Sequence, residues 1–92
     1  MKIVYLPSTR EDFLWLRRYY EQVFPEGLVR AQKQFHSMES LLAGNPQIGH
    51  PTHRDNVREL SIPRTPFSYI YWINQDRIEI LRICAERQER ID

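Results

Sequence analysis

Apolar residues recur along this chain with two different periods, and the change between them divides it into a helical half and a strand half. "KIVYL" at 2–6 is a short run of β-formers closed by Pro7, which predicts a first strand. From Ser8 the spacing lengthens. Phe13, Leu16, Tyr20, Val23 and Phe24 fall on one face of a predicted helix over 8–24, with Arg18, Glu21 and Gln22 opposite. Ser8 followed by Glu11 has the spacing of a capping box at its start. Leu14 falls off the apolar face and Trp15 lies at its margin. "FPEG" at 24–27 interrupts the pattern, because Pro25 disfavours helical backbone at Phe24 and Gly27 permits a turn. Leu28, Ala31, Phe35, Met38 and Leu42 then mark a second helix over 27–43. Gly44 suits a left-handed cap after it, and Pro46 cannot continue it. Two helices joined so tightly are expected to form an antiparallel hairpin.

Beyond a polar loop, "NPQIGHPTHRDN" at 45–56, the period drops to two. Strands are predicted at 57–62, 66–73 and 77–83, joined by "PRT" and "NQD", both short enough for antiparallel hairpins. In the middle strand Phe67, Tyr69, Tyr71 and Ile73 share one face, while Ser68, Ile70 and Trp72 share the other. The expected fold class is α+β, in the order β-α-α-β-β-β: an antiparallel sheet with the N-terminal α-helical hairpin packed on one face. The second face keeps aromatic and aliphatic residues, the composition of an interaction surface.

At 92 residues the chain is one domain, 1–92, with a modest core. Hydrophobic content of 41% with 27% charged residues is globular. The net charge of +1 gives no bulk drive toward nucleic acid, so any such contact must come from a local patch. Of thirteen cations only Lys2 and Lys33 are lysine; the arginine that dominates suits bidentate pairing with carboxylate or phosphate. A single cysteine, Cys84, rules out an internal disulfide and suits a reducing compartment. The N-terminus lacks the long apolar run of a signal peptide, and no stretch approaches the ~20 apolar residues of a membrane span. A cytoplasmic protein without membrane contact is expected.

Arg82 is the main candidate for chemistry, because it stands in a strand where an apolar residue is easier to bury. One reading pairs it with Glu59 across strands. The other gathers Arg58, Arg64, Arg82 and Arg87 on one side of the sheet, around an anionic group. His50 and His53 supply two ligands where a metal site needs three or four, and Cys84 is distant in sequence, so no metal is expected. His36 reads as a surface residue. No glycine-rich phosphate loop and no nucleophile elbow is present, and no cofactor is implied. The tail "CAERQERID" mixes charge signs and reads as a solvated helix or coil.

The stretch "VRELSIPRTPFSYIYWINQDRIEILRICAERQER" resembles the C-terminal half of the RelE/ParE toxin superfamily, where V-R-E-L, a strand with alternating aromatics and I-L-R follow at this spacing. Val57 to Leu60, Phe67 to Ile73, Ile78 to Arg82 and Arg87 carry the match. Leu42, Asn45, Pro46 and Gly49 extend it more loosely toward the N-terminus. The resemblance implies a toxin of a bacterial type II toxin–antitoxin module with a role in plasmid stabilization, wrapped and silenced by a cognate antitoxin. RelE-like members cleave mRNA on the ribosome, and ParE-like members act on DNA gyrase. The nuclease branch concentrates cations on its middle strands and often carries a histidine after I-L-R. Here Glu59, Ser61, Ser68 and Ala85 stand at such places. The ParE-like branch is therefore expected, with no catalytic residues. The alternative is a metal-free endoribonuclease site of Arg58, Arg82, Arg87 and Tyr71, and an inert binding module stays open beside both. A ParD-like antitoxin is implied, with a DNA-binding N-terminal part and a C-terminal segment that wraps the toxin in a hetero-oligomer. Leu14, Trp15, Arg58, Tyr69, Trp72, Arg82 and Arg87 are the expected contacts, apolar anchors beside arginines that meet acidic side chains.

Overall fold

The computed structural model describes residues 1–85. β1 (Lys2–Tyr5) leads through a single 3-10 turn, Pro7–Thr9, into α1 (Arg10–Val23). A second such turn, Pro25–Gly27, opens α2 (Leu28–Gly44). The strands β2 (His50–Pro51), β3 (Val57–Ser61), β4 (Phe67–Asn74) and β5 (Arg77–Ala85) complete the chain. They form one sheet in the order β1-β5-β4-β3-β2. The expected order of helices and strands holds, with the two-residue β2 as an addition at one edge. β2, β3, β4 and β5 pair antiparallel, whereas β1 lies parallel to β5, so the sheet is mixed. A parallel pair needs a long crossover, and here both helices and three strands separate the two.

The hairpin covers one face. Leu16 and Tyr20 of α1 and Ala31, Met38 and Leu42 of α2 pack on Leu60, Phe67, Tyr69, Tyr71, Ile78, Ile80 and Ile83. Phe67 lies at the centre of an aromatic cluster, with the rings of Trp15, Tyr19, Tyr20 and Phe35 at centroid distances of 5.7 to 6.3 Å. The face predicted for α1 is rotated. Phe13, Val23 and Phe24 are exposed, and Asp12 joins Leu16 and Tyr20 as the buried residues of α1.

Local signals at the helix ends also give way to tertiary contacts. Ser8 does not cap α1; the cap position is Thr9, with no side-chain capping bond, and Ser8 Oγ donates to Leu81 O at 2.6 Å. Gly44 is the last helical residue and not a left-handed cap. Asn45 ends α2 instead, its Nδ2 donating to Leu41 O at 3.1 Å. Gly27 is needed for another reason than a turn: a Cβ there would stand 2.3 Å from the Phe24 ring.

β5 carries a bulge. Tyr71 pairs with Ile80 and Ile70 with Arg82, which leaves Leu81 as the extra residue. Ile78 and Ile80 face the hairpin, and after the bulge Ile83 and Ala85 do so. Regular alternation would have aimed Arg82 at the hairpin. The extra residue turns it to the opposite face.

Candidate functional site

β1 pairs only with residues 77–80 of β5, so beyond Ile80 the strand presents an open edge. Three groups from the chain entering α1 and from its first turn close it. Leu6 N–H donates to Ile80 O at 3.0 Å, Ser8 reaches Leu81 O, and Asp12 Oδ2 accepts from Ile83 N–H at 2.9 Å. The same carboxylate takes a bidentate pair from Arg82, with Nε to Oδ2 at 2.8 Å and Nη2 to Oδ1 at 2.9 Å. The fork of guanidinium on carboxylate is the strong geometry for this pair. Asp12 is nearly buried while the Arg82 side chain stays 57% exposed. Asp12 also raises the Arg82 pKa further, through the hydrogen bond first and its charge second.

This corrects the expected pairing of Arg82 with Glu59. Both flank Ile70, one on each side of β4, and so stand two strand spacings or about 10 Å apart. Glu59 instead approaches His50 on β2, Nε2 to Oε1 at 3.6 Å. The expected gathering of arginines on one side of the sheet also fails. Arg58 pairs with Tyr71 and so lies on the helix side, where Nη1 donates to Gly49 O at 2.7 Å. Arg64 occupies the β3–β4 turn with φ of 64°. Arg87 falls outside the described residues.

The tyrosines are interior. Tyr71 is fully buried; its hydroxyl donates to Pro46 O at 2.8 Å and accepts from Gly49 N–H at 2.9 Å. Burial raises its pKa, against the opposing pull of the Gly49 N–H and Arg58. Gly49 is required here because a Cβ would lie 2.7 Å from that hydroxyl. Tyr69 is also fully buried and shares a hydrogen bond with Tyr5 at 2.8 Å, while the Tyr5 hydroxyl donates to Glu39. Burial raises both pKa values strongly. Tyr69 therefore has no surface to offer a partner, which removes it from the expected contacts.

Two surfaces remain. On the sheet face away from the helices, Trp72 is 37% exposed and its indole N–H donates to Glu79 Oε1 at 2.7 Å. Arg77 pairs with the same carboxylate. The indole hydrogen bond, ahead of Asn74 and Arg77, holds Glu79 below the usual carboxylate range. Ser68, also on this face, is buried and its Oγ has no hydrogen-bond partner among the described residues. The second surface is an open groove of about 540 Å³, with Tyr5 and Glu39 among its lining residues and α1 and α2 as its walls. Phe13, Leu14, Leu28 and Phe35 line it, and Leu14 is 54% exposed. Trp15, one residue on, stacks against Tyr19 at 6.0 Å and keeps part of its ring at the surface. His50 and His53 do not form a metal cluster with any third ligand among the described residues.

No protein-family model and no curated protein matches the chain. Among solved structures it is similar to a chain from the chromosomal ParDE toxin–antitoxin system of P. aeruginosa. The TM-score is 0.74 and the identity 25%, over 92% of this chain and 95% of that one. The chain has the structure of a ParE-like toxin. Its ParE-like features extend over the hairpin and the sheet together, as coverage of this extent requires. Among the described residues no helix is long and apolar enough to cross a membrane.

Asp12 was missed by sequence reasoning, although the sequence holds a signal for it. It precedes Leu16 and Tyr20 in steps of four, so a charge occupies a position on the buried stripe.

Proposed function

We propose that this ParE-like chain is the toxin of a type II toxin–antitoxin module, that it arrests growth by acting on DNA gyrase, and that a ParD-like antitoxin neutralises it. The observation that carries the reading is the structural likeness to a ParDE system over nearly the whole chain. The placement of the candidate nuclease residues supports the same branch. Cleavage through a 2′-hydroxyl attack needs an exposed base and acid with cations on the phosphate. Tyr71 is buried with its hydroxyl engaged, Arg58 and Arg82 point to opposite faces, and Arg82 is held by Asp12.

The antitoxin acts through its C-terminal segment, which folds as it wraps the toxin in a hetero-oligomer in the cytoplasm. Leu14 and the groove beside it receive apolar anchors. Trp15 extends that surface along α1. On the sheet Trp72 offers a further apolar anchor, and Arg82, with Arg58 on the helix side and Arg87 beyond the described residues, meets acidic groups. Arg82 spends two of its five N–H donors on Asp12, and the others, without a partner among the described residues, face a partner carboxylate.

Induction of the chain in cells without the antitoxin gene tests the reading. Growth stops, and co-expression of the cognate antitoxin restores it. Normal growth at high expression of the folded chain would remove the toxin assignment.

A further inference from the structure

A cleft of about 640 Å³ lies between the α1–α2 connection and the β3–β4 turn, away from the groove of Leu14 and from Arg82. Three cations line it: Arg30 and Lys33, one helical turn apart on α2, and Arg64 from the turn. Among the described residues none of the three has an ion pair or a hydrogen bond, and no carboxylate lines the cleft. Arg17, Arg58, Arg77 and Arg82 each have a partner, whereas Lys2, Arg10 and Arg18 have none among the described residues, so what sets the cleft apart is three such cations around one hollow. Like charges gathered without a counter-charge repel one another, an arrangement that an anionic ligand relieves.

The remaining wall is aromatic. Tyr19 and Phe24 line it, and Phe24 is 47% exposed. Its ring lies beside the backbone of Gly27, where a Cβ would meet it at 2.3 Å. A half-exposed ring beside three cations that have no partner among the described residues offers a stacking platform next to an anion site. An acidic peptide would neutralise the cations and leave the ring unused. A nucleotide uses both, with its base on the aromatic wall and its phosphate among the cations. The volume falls in the range of small-molecule sites, roughly 300–1,000 Å³.

We propose that this cleft binds a nucleotide unit, base against Phe24 and Tyr19, phosphate held by Arg30, Lys33 and Arg64. Free nucleotide and the end of a single strand share that chemistry. The site is independent of the gyrase reading and stands or falls separately from it.

Titration calorimetry of the purified full chain with adenosine triphosphate, and separately with a short oligothymidylate, tests it. Binding of either probe is expected, and the tighter one identifies the source. The double variant Arg30→Gln/Lys33→Gln and the variant Phe24→Leu, which keeps an apolar contact on Gly27, each weaken binding by roughly tenfold or more. Arg64→Asn does the same while tolerating the left-handed backbone. Arg54→Gln, a cation elsewhere on the surface, leaves affinity unchanged, and circular dichroism confirms that every variant is folded. Tripolyphosphate, which lacks a base, binds at least tenfold more weakly than the nucleotide. The proposal is overturned if neither probe binds, if tripolyphosphate binds as tightly, or if folded Phe24→Leu retains full affinity.

Discussion

Residues 77–80 of β5 lie between two strands, β1 on one side and β4 on the other. Residues 81–85 have β4 on one side only, and on the other Ser8 and Asp12 stand in for the missing strand. In the first half the backbone is satisfied by backbone, which no side-chain substitution removes. In the second half it is satisfied by two side chains, one of them ionised, and the same carboxylate fixes Arg82. The bulge at Leu81 marks the boundary between the two regimes. Both halves present an arginine at the surface, but only in the second is it held by the carboxylate that also closes the strand edge. Edge strands left open invite pairing with other chains, and here a helix start closes the edge without a further strand.

Removing Asp12 breaks this comparison most sharply. Asp12→Ala leaves Ile83 N–H without its acceptor and Arg82 without its partner. The expected loss is about 2–3 kcal/mol in urea unfolding, the range for an unsatisfied buried donor together with a half-exposed ion pair. Asp12→Asn keeps an acceptor for Ile83 and should recover part of it. Ser8→Ala removes one bond to the same edge and is expected to cost about 1 kcal/mol by the same measurement. In the half held by backbone, Lys2→Ala is expected to stay within about 0.5 kcal/mol. A loss there as large as that of Asp12→Ala would erase the distinction.

Arg82→Ala separates stability from binding. With its side chain mostly exposed, the loss of stability is expected to stay near or below ~1 kcal/mol. Affinity for the cognate antitoxin is expected to fall by about tenfold or more, the effect of truncating one side of an interfacial charge pair. Unchanged affinity in the folded variant would make Arg82 a clamp for Asp12 and nothing more.

The smallest effect expected is a pH dependence on the first half of β5. Glu79 has a folded pKa below its unfolded value, chiefly through the indole hydrogen bond of Trp72. Its contribution is therefore present above the unfolded pKa and lost as pH falls through the folded one. Unfolding curves collected from neutral pH down through that window should show the decline in the natural chain. Glu79→Gln should flatten it.

The sequence carried the helices, the strands and the inward row of Phe67, Tyr69 and Tyr71, because each follows from local periodicity. It also carried a sign of the bulge that alternation alone obscures. Inward residues run 78, 80, 83 and 85, so the step of three between Ile80 and Ile83 is the inserted residue. What it did not carry was decided over long separations. Ser8 has the spacing of a cap but meets Leu81, and Asp12 meets residues seventy positions away. The resemblance in the strand half led to the ParE-like structure, yet the facing of Arg58 and Arg82 depended on the bulge. Tyr69 and Tyr71 stood out as polar aromatic positions, and only the packing of the hairpin and the 45–49 loop over them fixed their hydroxyls as interior groups.

The target is tested most directly by adding the purified chain to DNA gyrase and, in parallel, to a translating extract. The account predicts inhibited supercoiling or a stabilised cleaved-DNA complex, relieved by the antitoxin, with ribosome-bound mRNA left intact. Intact gyrase activity together with codon-specific mRNA cuts that vanish in Arg82→Ala would contradict it.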